Sequence, residues 1–265
     1  MMLRKNKRIG DYTVMSRIGS GRYGVCFLAR SSDGRQVVLK RFRRRMRRKN
    51  RFHEHHEAVI LSGLRHPALP QLEGVINDRH GYFFVLEYKA GKSLARWLFD
   101  EKKSFSEAEI RDIGTQLFRI LEYLESRSVI HGDISISNIL YDGEVIALID
   151  FGLARYEGTR GMSFSLDLAR TADVLLYLLY SCYGETACGP AGSREERTWR
   201  QELPLSREQQ EFIGQLLEPD TFGREASDTD VTETVATGTD PARRSDGLRP
   251  AAAASEIFQR LWPRM

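Results

Sequence analysis

Apolar and polar positions alternate with a period near two through most of the first 87 residues. DYTVMSRI and VCFLAR are short runs of this kind on either side of the glycine-rich IGSGRYG, and they predict two strands and a turn. SSDGR follows, with Asp33-Gly34 as a hairpin signal, and leads into RQVVLKRF, a third strand. The period then changes. In HHEAVILSGLRHP, positions 57, 60, 61 and 64 share one face of a helix that begins near residue 53 and stops before His66-Pro67. GYFFVLEY returns to a strand pattern.

After Gly91 the chain turns helical. Ser106 and Glu109 form an S-x-x-E capping box, and Ile110, Ile113, Leu117, Ile120, Leu121 and Leu124 then keep the helical period. SVIHGDISISNILYDGEVIALIDFG predicts short strands and loops, and LDLARTADVLLYLLY a buried helix. Ser206 and Gln209 cap a last helix that carries Phe212, Ile213, Leu216 and Leu217. A strand-rich part followed by a helix-rich part predicts an α+β protein of two lobes. The pattern divides it into a small β-rich N-lobe over 1–87, a reduced helical C-lobe over 88–218, and a flexible acidic tail over 219–265 with a short helical possibility in SEIFQRLW.

Composition narrows this picture. The chain has 265 residues, 41% hydrophobic and 29% charged, which suits a packed core and excludes a collagen, a fully disordered chain or a disulfide miniprotein. The longest strongly apolar stretch, Val174 to Tyr180, is far short of the roughly 20 residues a spanning helix needs. The N-terminus is basic without an apolar core, so no secretory signal is visible. Three cysteines without CxxC spacing fit neither a disulfide framework nor a zinc site, and the expected compartment is the reducing cytoplasm. Oligomeric state is left open.

The net charge of +4 is unevenly placed. Arg41 to Arg51 holds eight Lys or Arg and no acid, whereas Glu218 to Asp246 holds eight acids and three Arg. The acidic stretch has one aromatic, Phe222, and too little apolar surface to offset the entropy of ordering it. The basic run reads first as a solvated lead-in to the helix of Glu57. Its sharper reading is a dock for acidic protein, nucleic acid or anionic lipid. Only Phe42 and Phe52 could stack on bases there, so no specific nucleic-acid binding is predicted.

Gly19, Gly21 and Gly24 spell G-x-G-x-x-G, but between two strands. A dinucleotide fold needs that motif to open a helix. Taken alone it is equally a glycine-rich hairpin; functionally, such a turn lets backbone N–H groups approach phosphate. Lys40 ends Q-V-V-L-K on the face of Val38 and Phe42. A lone strand lysine usually faces solvent. Glu57, however, sits in the apolar stripe of its helix with Ile60, Leu61 and Leu64, and a buried carboxylate needs a cation. Lys40 and Glu57 are therefore candidates to pair. His131, Asp133 and Asn138 stand in HGDISISN, and Asp150-Phe151-Gly152 follows the apolar VIALI. Asp and Asn offer the hard oxygens that Mg²⁺ prefers.

The order of glycine turn, strand lysine, helix glutamate, HxDxxxxN and DFG resembles the protein-kinase family over roughly residues 10–218. With HGD in place of HRD, the chain is similar to small bacterial serine/threonine kinase-like proteins. The resemblance implies ATP and Mg²⁺ as cofactors and a protein Ser/Thr hydroxyl as acceptor; the basic run Arg41–Arg51, read as a dock, adds acidic character to that partner. It implies that Gly19, Gly21 and Gly24 cover the phosphates and that Cys26, Val38 and Leu140 line the base site. Glu87, Tyr88 and Lys89 form the hinge beyond gatekeeper Leu86. Lys40 holds phosphates, Glu57 fixes Lys40, Asp133 orients the acceptor hydroxyl, and Asn138 and Asp150 hold Mg²⁺. Leu61, Leu72, His131 and Phe151 match a stacked spine, and Asp167 the helix residue that braces the catalytic loop.

The departures matter too. Gly132 replaces the arginine that reads a phosphorylated activation segment, so that control is expected to be missing. Ser135 and Ser137 stand where a cation for the transferring phosphate is usual, leaving Arg22 or Arg155 as substitutes. Asp150 and Asp167 are seventeen positions apart, about half the usual spacing, and no APE motif appears. A kinase of a small molecule, sugar or lipid head group, and an ATP-binding pseudokinase scaffold, are the competing readings.

Overall fold

Cross-strand register sorts the side chains of the N-terminal strands onto two faces of one antiparallel sheet. The structure, a computed structural model, describes residues 5–21, 24–42, 51–159, 163–183, 198–218 and 249–263. The chain divides into two compact units, Met1–Trp97 with His131–Tyr156, and Leu98–Ile130 with Glu157–Met265. This differs from a boundary at residue 87, because the segment carrying HGDISISN and DFG groups with the strands.

The first unit holds β1 (Arg8–Ile9), β2 (Tyr12–Ser20), β3 (Gly24–Arg30), β4 (Gln36–Phe42), β5 (Leu72–Asp78) and β6 (Gly81–Glu87) in the spatial order β1-β2-β3-β4-β6-β5. Phe27, Leu39 and Val85 lie opposite one another, as do Cys26, Lys40 and Phe84 one residue along. A period of two therefore sends these two rows to opposite faces. The first face packs a core of Ile9, Val14, Phe27, Ala29, Val37, Leu39, Phe83 and Val85. Burying each of the larger of these contributes about 1.5–3 kcal/mol. The second face carries Cys26, Val38, Lys40 and Leu86. Helix α1 (Arg51–Gly63) buries Glu57, Ile60 and Leu61, as its stripe predicts, and Leu64 just past its end is buried with them. A smaller sheet of β7 (Lys92–Ser93), β9 (Ile139–Tyr141) and β10 (Ile146–Leu148), with the short β11 (Arg155–Tyr156), completes the unit.

The second unit is built on α2 (Glu107–Ser126), which starts at the expected capping box: Glu109 N–H donates to Ser106 Oγ, and Ser106 N–H donates back to Glu109 at 2.9 Å. It also contains β8 (Val129–Ile130), α3 (Ser165–Tyr183), the short α4 (Trp199–Glu202), and α5 (Arg207–Leu217), capped by Ser206 and Gln209. A further helix, α6 (Pro250–Leu261), follows.

Helix α6 corrects the expectation of a flexible tail over 219–265. Residues 219–248 lie outside the described residues, as do Arg22 and 43–50 of the basic run. Residues 249–263 fold against α2 and α5. Phe258 is fully buried, 5.1 Å from the Phe118 ring and stacked 4.8 Å from Trp262. Ala251 and Ala254 are buried on the same face, and Gly114 of α2 leaves room for the Phe258 ring. The alanines add little hydropathy, which hides this face in the sequence, but they let helices approach closely. Arg249 gives α6 no side-chain cap; the buried Glu125 of α2 instead accepts from Ala251 N–H at 3.1 Å. A carboxylate there satisfies one orphan donor and meets the positive end of the helix dipole. Among the described residues no helix is long and apolar enough to cross a membrane.

Phe258→Ala should cost about 3–5 kcal/mol, the range for emptying a large buried ring site. Chemical denaturation of the full chain measures this. A chain ended at residue 248 that unfolds at the parent's midpoint would show that α6 stabilises nothing.

Candidate active site

Lys40 is only 4% exposed, and its ammonium sits between two carboxylates. Nζ donates to Glu57 Oε1 at 2.5 Å and to Asp150 Oδ1 at 2.7 Å. The Glu57 pairing is the one its place on an apolar stripe predicts; the Asp150 pairing is not visible in the sequence. Burial works against the charged lysine, but Glu57 and then Asp150 outweigh it and hold its pKa above the ordinary value. Burial also pushes the Glu57 carboxyl up, against the pull of Lys40. For Asp150, burial raises and Lys40 lowers, and the lysine wins with help from Gly152 N–H, so the carboxyl lies below its usual range. The cluster is thus a charged lysine shared by two anions.

The loop HGDISISN is held from below by its own alternation. Ile134 and Ile136 are buried, while Ser137 is exposed and Asp133 and Asn138 are half-buried. Ile136 C=O accepts from Ala95 N–H at 2.8 Å, and Asn138 C=O accepts from Ile149 N–H at 2.9 Å. Asn138 Nδ2 donates to both the backbone oxygen and the Oδ2 of Asp133, each at 2.9 Å. Asp133 N–H donates to His131 Nδ1 at 3.2 Å, so the ring proton belongs on Nε2, which donates to Ile149 C=O at 3.2 Å. His131 is fully buried, and burial brings its pKa down to about 4. Between His131 and Asp133 the chain needs a left-handed turn. Gly132 supplies it at φ +74°, a conformation costly for a side-chain-bearing residue.

Asp150 is itself left-handed, at φ 67° and ψ 77°, and its Oδ1 also accepts from Gly152 N–H at 3.3 Å. Phe151 is buried edge-on to His131, ring centroids 4.7 Å apart. Leu61 is buried in the same unit and Leu72 half-buried, and α1 runs beside the DFG turn. Asp167 is buried in the first turn of α3, in the other unit, where Thr171 Oγ1 donates to its backbone oxygen.

Of the remaining predicted positions, Cys26 and Val38 lie on the second sheet face. Cys26 stands opposite both Gly19 and Lys40, and Val38 opposite Leu28 and Leu86. Burial pushes the Cys26 thiol to about 11, which makes it a packed strand residue rather than a reactive one. Leu140 is half-buried between Ser93 and Ala147. The three glycines are not equivalent. A Cβ on Gly24 would meet Arg41 C=O at 2.4 Å, so strand packing alone demands glycine there. Gly21 has open space around it, and its N–H closes the turn onto Gly24 C=O at 2.9 Å. In the hinge stretch, the Glu87 side chain accepts from Gln71 N–H and from Lys89, and Lys89 also donates to Pro67 C=O. Those contacts tie the Glu87 and Lys89 side chains to the stretch that follows α1. Arg155, one of the two cations expected to substitute at the phosphate, is buried, and its Nη1 donates to Ala154 C=O.

The donor set fits Mg²⁺. Asp150 Oδ2 and the Asn138 side-chain Oδ1 take no donor among the described residues, and the Asp150 side chain is 41% exposed. Mg²⁺ is ordinarily held by one or two carboxylates plus substrate phosphates. Accordingly, no group of three or more His, Cys, Asp or Glu is placed to hold a metal by itself among the described residues.

Two expectations follow. Lys40→Met should cost about 3–5 kcal/mol, because it leaves Glu57 buried without a partner, and Lys40→Met with Glu57→Leu should recover most of that loss. Equal destabilisation of single and double variants in denaturant titrations would count against the buried pair. The second concerns His131, whose pKa falls from 6.5 unfolded to about 4 folded. Its stabilising contribution is fully present above about 6.5 and disappears as pH falls toward 4. The stability gap between the parent and His131→Phe should therefore shrink by on the order of 3 kcal/mol from pH 7 to pH 4. A gap independent of pH would mean that His131 is not held neutral.

Comparison with known proteins agrees with this geometry. The family model described as protein kinase domain matches residues 12–169, more than half of the chain. "Probable serine/threonine-protein kinase YbdM" of Bacillus subtilis (strain 168) is 29% identical over 218 residues, covering 78% of this chain and 82% of that protein. "Cyclin-dependent kinase F-4" of Oryza sativa subsp. japonica is 31% identical over 145 residues, 54% of this chain and 31% of that one. "Hormonally up-regulated neu tumor-associated kinase" of Mus musculus is 33% identical over 168 residues, 60% of this chain and 23% of that one. The chain thus spans most of the bacterial relative but less than a third of the other two. With a charged lysine shared by a helix glutamate and the DFG aspartate, and an Asp–Asn pair on an anchored loop, the chain belongs to the protein kinase domain family and is a kinase-like phosphotransferase.

Proposed function

We propose that the chain transfers the γ-phosphate of ATP to Ser or Thr hydroxyls of proteins, with Mg²⁺ bound at Asp150 and Asn138. The observation that carries this reading is the ammonium of Lys40, held between Glu57 and Asp150. It keeps a fixed positive charge where phosphate oxygens need one, and it aims the DFG carboxylate. Asn138 holds the Asp133 carboxylate so that it can orient an acceptor hydroxyl and take its proton. The metal, when bound, neutralises charge on the phosphates. Val38, Cys26, Leu86 and Leu140 offer an apolar site for the base, and the hinge backbone its polar contacts. Ser/Thr as the acceptor class is supported by the name of the bacterial relative.

A second reading, a small-molecule acceptor, is favoured by one observation. Helix α3 begins at Ser165, so little chain follows the DFG turn from which a peptide-holding platform could be built. A pseudokinase scaffold accords with Ser135 but leaves the complete set of Lys40, Glu57, Asp133, Asn138 and Asp150 without a use.

Transfer of labelled γ-phosphate to intact proteins, short peptides and a metabolite extract separates the three readings. Asp133→Ala should lower turnover by about 10²–10⁴-fold while nucleotide binding, followed by thermal shift, stays near the parent's. Asp150→Ala should weaken the Mg²⁺-dependent part of that binding. Parent-level turnover by Asp133→Ala would remove the proposed base. Labelling of a metabolite alone would move the acceptor to the small-molecule class.

A further inference from the structure

We propose that the outward face of α3 is a self-association surface, on which two copies of the chain pair antiparallel about a two-fold axis. The inference is separate from the kinase reading and holds whatever the acceptor is.

Helix α3 packs its buried side on α2 and α5. The opposite side of such a helix is ordinarily polar. Here Leu166, Arg170, Asp173, Leu176, Tyr177 and Tyr180 share it at helical spacing, and none of them is buried. Only two of these carry a charge. Among the described residues of the second unit, the large hydrophobic side chains that stand exposed are Phe99 and Tyr177, at 55% and 49%. They touch edge to face, with ring centroids 6.2 Å apart. Apolar residues scattered singly over a surface need no explanation, whereas contiguous ones point to a contact. Tyr180 spends its hydroxyl on Glu202, while that of Tyr177 has no partner among the described residues. A ring with a polar tip left over suits a surface that is covered by another protein.

The charges say what covers it. Arg170 and Asp173 lie one turn apart, both about half exposed, with Nη1 and Oδ2 3.5 Å from each other. Neither side chain makes another hydrogen bond or ion pair among the described residues. A wholly apolar partner would strip water from both, and a partner of one sign would set a like charge against one of them. A second α3 running antiparallel avoids both costs. It sets Arg170 opposite Asp173 of the partner subunit, and Asp173 opposite Arg170 of the partner subunit. The same register brings Leu166 onto Tyr177 of the partner subunit, with Phe99 widening the apolar part at each end. Parallel pairing would instead oppose the two Arg170 side chains. The contact is isologous, so it closes at two copies. It involves far fewer than the roughly 20–30 residues a side of a standard interface, so the dimer is weak and reversible, with a Kd in the micromolar range.

Sedimentation velocity of the full chain over a dilution series measures this association. The parent should pass from monomer to dimer as its concentration rises through the micromolar range. Asp173→Arg and Arg170→Asp each set like charges face to face, and each should weaken self-association by more than about tenfold. An equimolar mixture of these two variants restores opposite charges across the contact and should form a mixed dimer of near-parent affinity. Damage to the fold by either substitution would not be rescued by mixing. Tyr177→Ser should also weaken the dimer. Thermal melting checks that all three variants stay folded. A parent that remains monomeric throughout the series would overturn the proposal. So would a dimer that the variants leave unchanged, or a mixture that fails to recover what the single variants lose.

Discussion

The buried ammonium of Lys40 is the constraint that organises the first unit. A lysine is tolerated at 4% exposure only where anions compensate the lost hydration, and here two do so from different parts of the chain. Glu57 lies 17 positions away on α1 and Asp150 lies 110 away, after β10. One charge therefore fixes a helix and a distant turn to the same strand. Such a pair is weak evidence for stability, since apolar residues of similar volume would pack without the desolvation penalty. What it does here is positional: it fixes a positive charge beside the Asp150 carboxylate, whose second oxygen takes no donor among the described residues.

A second constraint holds the loop that carries Asp133. Two isoleucines bury its underside, and a neutral histidine gives it both ring nitrogens, one accepting from Asp133 N–H and the other donating to Ile149 C=O. Protonating His131 would put an N–H where an acceptor is needed. The low pKa and the geometry therefore express one requirement, that this ring stay neutral while it packs on Phe151. Gly132 joins the ring to the aspartate because the turn between them is left-handed. Its presence thus has a conformational reason, independent of the arginine whose place it takes.

Much of this was legible in the sequence because local chemistry demanded it. Alternation assigned Lys40 to the face of Val38, and Glu57 on an apolar stripe announced a buried cation. Both capping boxes formed where S-x-x-E and S-x-x-Q predicted helix starts. What stayed hidden depends on contacts between distant residues. Nothing near Asp150 shows that it shares Lys40, nothing near Gln71 shows that its N–H holds the Glu87 side chain, and the strand contact that requires Gly24 is made by Arg41. The glycine motif looked like one functional unit, yet its last member answers to backbone packing.

The C-terminal helix shows the same limit in the second unit. Read locally, 249–263 is a weakly apolar segment after an acidic stretch, and the entropy of ordering it appears uncompensated. That balance changes once α2 is considered. Gly114 gives Phe258 a place, Phe118 and Phe212 surround it, and Glu125 caps a helix that has no cap of its own. A buried, unpaired glutamate on α2 would be a liability without α6, and α6 would lack a satisfied first turn without that glutamate. Each feature looks unfavourable in its own stretch of sequence, and each removes the cost of the other when they meet. The last described helix is therefore part of the packed core of its unit.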